Sequence, residues 1–83
     1  MNITKKNPVA LTRTSEQGTR AFPASFTRIR DLGQAVAFYF ADNLITSRQE
    51  ATKLGMAAEL AFRAGESFEA HGITFTITPA SPD

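Results

Sequence analysis

The stretch FTRIRDLGQAVAFYFADN, residues 26–43, decides the fold because it fits two different secondary structures. Its aromatic and β-branched residues are typical of strands, and a three-residue loop that ends in Gly33 is a common hairpin connection. We therefore predict two strands, Phe26–Arg30 and Gln34–Ala41, joined as a hairpin. Their register places four large apolar side chains on the core face: Phe26, Val36, Phe38 and Phe40.

The same stretch also fits a helix. Asp31 and Gln34 have the spacing of a capping box, in which side chains satisfy free amides of the first helical turn. The segment contains three alanines and one leucine, which are strong helix formers. Its apolar residues also recur on one face when they are placed on a helix. The alternative to the hairpin is therefore a helix over residues 31–43.

The residues that follow predict one long helix, from Ser47 to Ala64. Ser47 and Glu50 fit a capping box at its start. Gly65 follows its last residue, at the position where glycine adopts a left-handed conformation at low cost. The apolar face of this helix is mostly alanine, so we expect the helix to approach a sheet closely.

Two further segments have the alternating pattern of strands. Residues 73–78 place isoleucine and phenylalanine on one face and threonine on the other. His71 and Gly72 suit a two-residue turn back to a partner strand, Ser67–Ala70. Residues 9–14 form another predicted strand, followed by a loop over 15–20.

The predicted fold class is α+β. We expect a mainly antiparallel sheet of four to five strands packed on one long helix, 47–64. The alternative is a two-helix hairpin, 31–43 and 47–64, flanked by strands. In either arrangement 83 residues make one small domain. Residues 1–7 are polar and residues 79–83 contain two prolines, so both ends are expected to be flexible tails.

The residue types exclude most catalytic chemistry. The chain has no cysteine and one histidine, His71, which removes thiolate catalysis, disulfides and the usual zinc sites. A single histidine in a turn is typical of a solvated side chain, and the glycines match no phosphate-binding loop. We therefore predict no enzyme activity, no cofactor and no metal site. No signal sequence or membrane-spanning run is visible, and we expect a cytoplasmic protein.

Binding surfaces are the remaining source of function. One helix covers only one side of the predicted sheet, which leaves a threonine-rich side uncovered. In the strand interpretation that side also carries an isoleucine and the one tyrosine. The outer side of the helix exposes a methionine and a leucine. The predicted protein-binding residues are Ile29, Tyr39, Thr74, Thr76, Met56 and Leu60. Self-association through the uncovered side would give a homodimer.

A small α+β domain without catalytic residues is similar, in general kind, to the accessory proteins of phages and plasmids. Many of those proteins bind a host protein or a nucleic-acid-processing complex. We therefore expect a non-enzymatic protein-binding module that acts as an inhibitor of such a partner.

Charge is divided unevenly along the chain, although the net charge is +1. Residues 1–30 carry six basic and one acidic residue, a net charge of +5, whereas residues 31–83 carry three basic and seven acidic residues, a net charge of −4. The two halves either attract each other within one fold, or the first half binds a polyanion. The alternative function is therefore a nucleic-acid-binding regulator that uses Lys5, Lys6, Arg13, Arg20, Arg28 and Arg30.

Overall fold

The structure, a computed structural model, describes residues 8–79. Its elements, in chain order, are β1 (Val9–Ser15), β2 (Gly18–Phe26), α1 (Ile29–Asp42), α2 (Arg48–Arg63), β3 (Phe68–Ala70) and β4 (Ile73–Pro79). The four strands form one antiparallel sheet in the order β2-β1-β4-β3. The two helices pack against each other, and both contribute to the core on one face of this sheet. The predicted class, α+β, is confirmed.

Residues 29–42 are helical, so the predicted strand hairpin over 26–41 is wrong and the two-helix alternative describes the fold. The buried residues of α1 recur with helical spacing: Leu32, Gly33, Val36 and Phe40. A strand would have buried Phe38 together with Phe40, whereas the helix turns Phe38 out to solvent. The helix begins without a side-chain cap, so the capping box expected of Asp31 is absent.

The predicted helix over 47–64 is confirmed as α2. The backbone N–H of Glu50 donates to the Ser47 hydroxyl oxygen at 3.2 Å, which satisfies one free amide of the first turn. Gly65 follows the C-cap with φ +77°, as expected for a left-handed helix terminus. Local signals were therefore sufficient to locate this helix.

Strands β1, β3 and β4 are close to their predictions, but β2 was not predicted as a strand. His71 and Gly72 both have positive φ and join β3 to β4, as the sequence predicts. The loop expected over 15–20 is shorter, because β2 already begins at Gly18. Pro79, which we expected in a tail, is the last residue of β4 and pairs with Val9. The rest of the predicted tails, residues 1–7 and 80–83, lies outside the described residues.

The helices approach each other until their backbones touch. A Cβ atom added at Gly55 would lie 2.7 Å from the Gly33 carbonyl oxygen and 2.8 Å from the Ala37 Cβ. A Cβ atom added at Gly33 would lie 2.7 Å from the Gly55 oxygen. Such distances are below van der Waals contact, so only glycine fits at these two positions without a shift of the helices. The two glycines thereby fix how α1 and α2 lie on each other.

The core lies between the helical hairpin and the inner face of the sheet. Phe75 on β4 is fully buried, and its ring centroid lies 5.6–6.5 Å from the rings of four other aromatic residues. These are Phe22, Tyr39, Phe40 and Phe68. Threonines occupy the other face, where Thr12 pairs with Thr76 and Thr14 with Thr74. Within residues 8–79, neither helix is long and apolar enough to cross a membrane.

Candidate functional site

Three large apolar side chains are exposed on the side of the helical hairpin that faces away from the sheet. Phe38 on α1 is 63% exposed, and Met56 and Leu60 on α2 are 65% and 69% exposed. Met56 and Leu60 are four residues apart, which places them on one side of α2. We call this surface, formed by Phe38, Met56 and Leu60 with the small residues between the helices, the outer helical face.

A shallow groove of about 390 Å³ runs between the two helices on this face. Its sides include Phe38 and Met56, and its lining contains the small residues Gly33, Ala37 and Gly55. The groove exists because the glycine contact brings the helix backbones together and leaves no side chain to fill the space above them. The sequence feature that sets the hairpin therefore also shapes its outer surface.

Charged residues stand at both ends of the groove. Arg30 and Glu59 line one end, and Asp42 and Arg48 line a second depression at the other end, beyond Phe38. Glu59 accepts an ion-pair contact of 2.9 Å from Arg63, which is the one salt bridge within residues 8–79. The charged residues that line each end are thus one positive and one negative side chain from opposite helices, and Glu59 is also paired with Arg63 of its own helix.

The outer helical face is suited to binding by burial of apolar surface. Across residues 8–79 no polar or charged side chain is buried, and no group of three or more potential metal ligands converges. His71 is exposed in its turn, and its ring lies 5.6 Å from that of Phe40. On the exposed face of the sheet the Thr74 hydroxyl donates to a Glu69 carboxylate oxygen at 3.2 Å.

The loop between the helices carries another exposed apolar side chain. Leu44 is 88% exposed and has φ +56°, in the left-handed region that favours glycine. Its backbone N–H donates to the Ala41 carbonyl oxygen at 3.1 Å, and the N–H of Ile45 donates to that of Phe40 at 3.0 Å, so the loop closes the end of α1. The sequence gives no direct signal for this site, since glycine or asparagine is the usual residue there.

Replacing Leu44 with glycine is expected to raise the free energy of unfolding by about 1 kcal/mol. The left-handed conformation costs a residue with a Cβ atom about 1–2 kcal/mol, and the greater freedom of glycine in the unfolded chain offsets part of the gain. Urea denaturation followed by circular dichroism measures the change. The matched control is Leu44→Ala, which keeps the conformational cost and should leave stability unchanged. Equal gains in both variants would contradict this explanation.

The predicted site residues fall on three separate parts of the domain. Met56 and Leu60 lie on the outer helical face, exposed as expected. Thr74 and Thr76 lie on the opposite side of the domain, on the face of the sheet that the helices leave uncovered. The six residues therefore do not form one surface.

Ile29 and Tyr39 were wrongly placed on the exposed face of the sheet. Ile29 is the first residue of α1 and is half-buried against the core. Tyr39 is also half-buried on α1, with its ring edge-on to Phe75 at 5.6 Å and beneath the Arg13 guanidinium at 5.1 Å. Both errors follow from the strand interpretation, which assigned alternate residues to opposite faces.

Phe38 is the site residue that sequence reasoning missed. The strand register assigned it to the core, where it would have faced the long helix. On a helix it lies about 200° around the axis from buried Phe40, on the outer side. A signal was available in the helical alternative. There Phe38 lies opposite the core face of its helix, as Met56 does on the long helix.

The basic residues of the nucleic-acid alternative are divided between two places. Arg13 and Arg20 are cross-strand partners on β1 and β2. Arg28 immediately precedes α1, and Arg30 lies in the groove. Arg13 is four residues from Val9, which pairs with the last residue of β2, Phe26, at the end of the sheet that leads into α1. Four residues of a strand span about 13 Å. Lys5 and Lys6 lie outside the described residues.

Comparison with known proteins adds no relationship to this geometry. No protein-family model matches the chain, and neither the curated proteins nor the solved structures contain a significant match.

Proposed function

We propose that this chain is a non-enzymatic protein-binding module and that the outer helical face is its binding surface. The observation that carries the proposal is the exposure of Phe38, Met56 and Leu60, each more than 60%, on one side of a two-helix layer. Single exposed apolar residues are common on soluble proteins, but neighbouring large ones mark interaction surfaces. Phenylalanine and methionine are also enriched where proteins meet.

The layout of the face supports the same function. Protein interfaces combine an apolar centre with a polar rim. Here Phe38 and Met56 flank a groove lined by small residues, and charged residues such as Arg30 and Asp42 stand at its ends. A partner can insert apolar side chains between the two large ones while its polar groups pair with the ends. Such binding needs no bound cofactor.

The proposal predicts that Phe38→Lys together with Met56→Lys weakens capture of the partner at least about tenfold, because loss of central interface residues costs upwards of 1–2 kcal/mol. The chain serves as bait in lysate of its source cell, and the recovered proteins are quantified by mass spectrometry. Circular dichroism checks that each variant is folded.

The matched control is Thr76→Lys, which introduces the same charge on the uncovered face of the sheet. We expect it to capture the same proteins as the unaltered chain. Capture that survives the change at Phe38 and Met56 contradicts the proposal. Capture lost only with Thr76→Lys would instead assign binding to the sheet face, as part of our sequence analysis predicted.

One observation favours an anionic ligand as a second candidate. Arg13 and Arg20 are directly opposite on adjacent strands, and within residues 8–79 neither forms a salt bridge. Like charges so placed repel each other unless an anion binds between them. Recovered nucleic acid that is released steeply by salt, and that is lost with Arg20→Ala, would favour the nucleic-acid-binding alternative. Inhibition of a host protein or of a nucleic-acid-processing complex stays a prediction.

A further inference from the structure

We infer that the occupant of the outer helical face is a second copy of this chain, bound around a two-fold axis that runs along the groove. This inference rests on the proposed function, of which it names the partner. In this dimer the helical hairpins of the two copies pack face to face in the centre, and the two sheets lie on the outer sides.

The charges of the groove carry the inference. A two-fold axis along the groove places α1 of one copy over α2 of the other, at the same level. Because Arg30 and Glu59 share one end of the groove, Arg30 then faces Glu59 of the partner subunit. Because Asp42 and Arg48 share the other end, Asp42 faces Arg48 of the partner subunit. Each of the four charged residues that line the ends thus meets an unlike charge, and Glu59 also keeps Arg63 of its own helix beside it.

This pattern suits a second copy better than a partner of uniform charge. An acidic or a basic surface would meet one unlike and one like charge at each end of the groove, so attraction and repulsion would offset each other. A self-complementary surface is the requirement of an isologous dimer. The net charge of the chain, +1, also leaves little long-range repulsion between two copies.

The large side chains are compatible with this arrangement. Gly33 and Gly55 lie level with each other where the antiparallel helices touch. Phe38, five residues beyond Gly33, and Met56, next to Gly55, are therefore offset along the groove by about 9 Å. In the two-fold arrangement every residue lies level with its own equivalent, on the other side of the axis. Phe38 therefore lies over α2 of the partner subunit, about 9 Å along the groove from Met56 of the partner subunit, so these two large side chains do not compete for one place.

The size of the face predicts a weak dimer. Helices of 14 and 16 residues form a layer roughly 24 Å long and 20 Å wide, or about 480 Å² of projected area per copy, near the low end for specific interfaces. A dissociation constant of about 1–100 µM is the expected range for such a contact. The dimer should therefore dissociate on dilution.

Sedimentation velocity of the purified chain, from about 1 µM to 1 mM, tests the inference over the expected range of dissociation constants. The expected result is a shift from monomer to dimer with concentration. Phe38→Lys should remain a monomer throughout, and Thr76→Lys should behave as the unaltered chain. A monomer at all concentrations overturns the inference, as does a dimer that survives Phe38→Lys or that is lost with Thr76→Lys.

A charge exchange tests the arrangement of the two copies. Asp42→Arg should weaken the dimer by a few-fold, the scale of an exposed ion pair. Adding Arg48→Asp should restore it, because the exchanged pair again joins unlike charges across the axis. No restoration overturns the proposed axis. If the chain is monomeric while capture of another protein still depends on Phe38 and Met56, the second copy is wrong and the proposed function stands.

Discussion

Replacing Phe75 with alanine is expected to lower the free energy of unfolding by about 3–5 kcal/mol. Phe75 is fully buried, and it is the aromatic residue whose ring meets the rings of Phe22, Tyr39, Phe40 and Phe68. Its removal leaves a cavity between the sheet and α1 that neither rigid element can close. A domain of this length has about 4–12 kcal/mol in total, so the change removes from about a quarter to all of its stability.

The matched control for Phe75→Ala is Phe38→Ala. The side chain of Phe38 is exposed on the outer helical face, so its truncation should change stability by no more than about 0.5 kcal/mol. Urea denaturation followed by far-UV circular dichroism measures both variants. The comparison also tests the fold, because the strand interpretation of residues 26–43 places Phe38 in the core. Similar losses in the two variants would contradict the helical hairpin.

Replacing Gly55 with alanine is expected to destabilise the domain by about 1–3 kcal/mol, the usual cost of forcing an extra methyl group into a packed interface. The added Cβ would lie 2.7 Å from a backbone oxygen of α1, which cannot rotate away as a flexible side chain would. The sign is informative, because on an exposed helix the same change stabilises by about 1 kcal/mol. Thermal and urea denaturation give the difference from the unaltered chain.

Two further variants make this prediction specific. Gln34→Ala lies next to Gly33 on α1 but is exposed, so it should be neutral or slightly stabilising. Gly33→Ala should destabilise as Gly55→Ala does, and the double variant should cost less than the two single changes added together, because both disturb one contact. A stabilising effect of Gly55→Ala would show that the helix backbones do not touch.

The long helix and the strand β4 were predictable because their signals are local. Ser47 and Gly65 mark the ends of α2 within the sequence itself, and the alternation over residues 73–78 identifies β4 whatever it packs against. These residues need no distant contact to adopt their structure. Met56 and Leu60 were placed correctly for the same reason, since a correct helix fixes which side chains face outward.

Residues 26–43 were not predictable in this way because distant contacts decide their structure. Gly33 is suited both to a hairpin loop and to a helix, and its role becomes visible only where it meets Gly55. Val36 and Phe40 are buried in a core completed by strands from both ends of the described chain. The misplacement of Ile29, Tyr39 and Phe38 follows from this one segment. One of the three large apolar residues of the proposed binding surface, Phe38, was therefore hidden by an error of secondary structure.

The strand order β2-β1-β4-β3 has a consequence for cooperativity. The two outer strands are each joined to an inner neighbour by a short turn, but the inner strands β1 and β4 pair across most of the chain, as in the contact of Thr12 with Thr76, 64 residues apart. An isolated two-stranded hairpin is marginally stable in water. Neither end of the chain therefore carries a unit that persists alone. The inner strands pair only when both hairpins have formed and come together, so we expect the domain to fold as one cooperative unit.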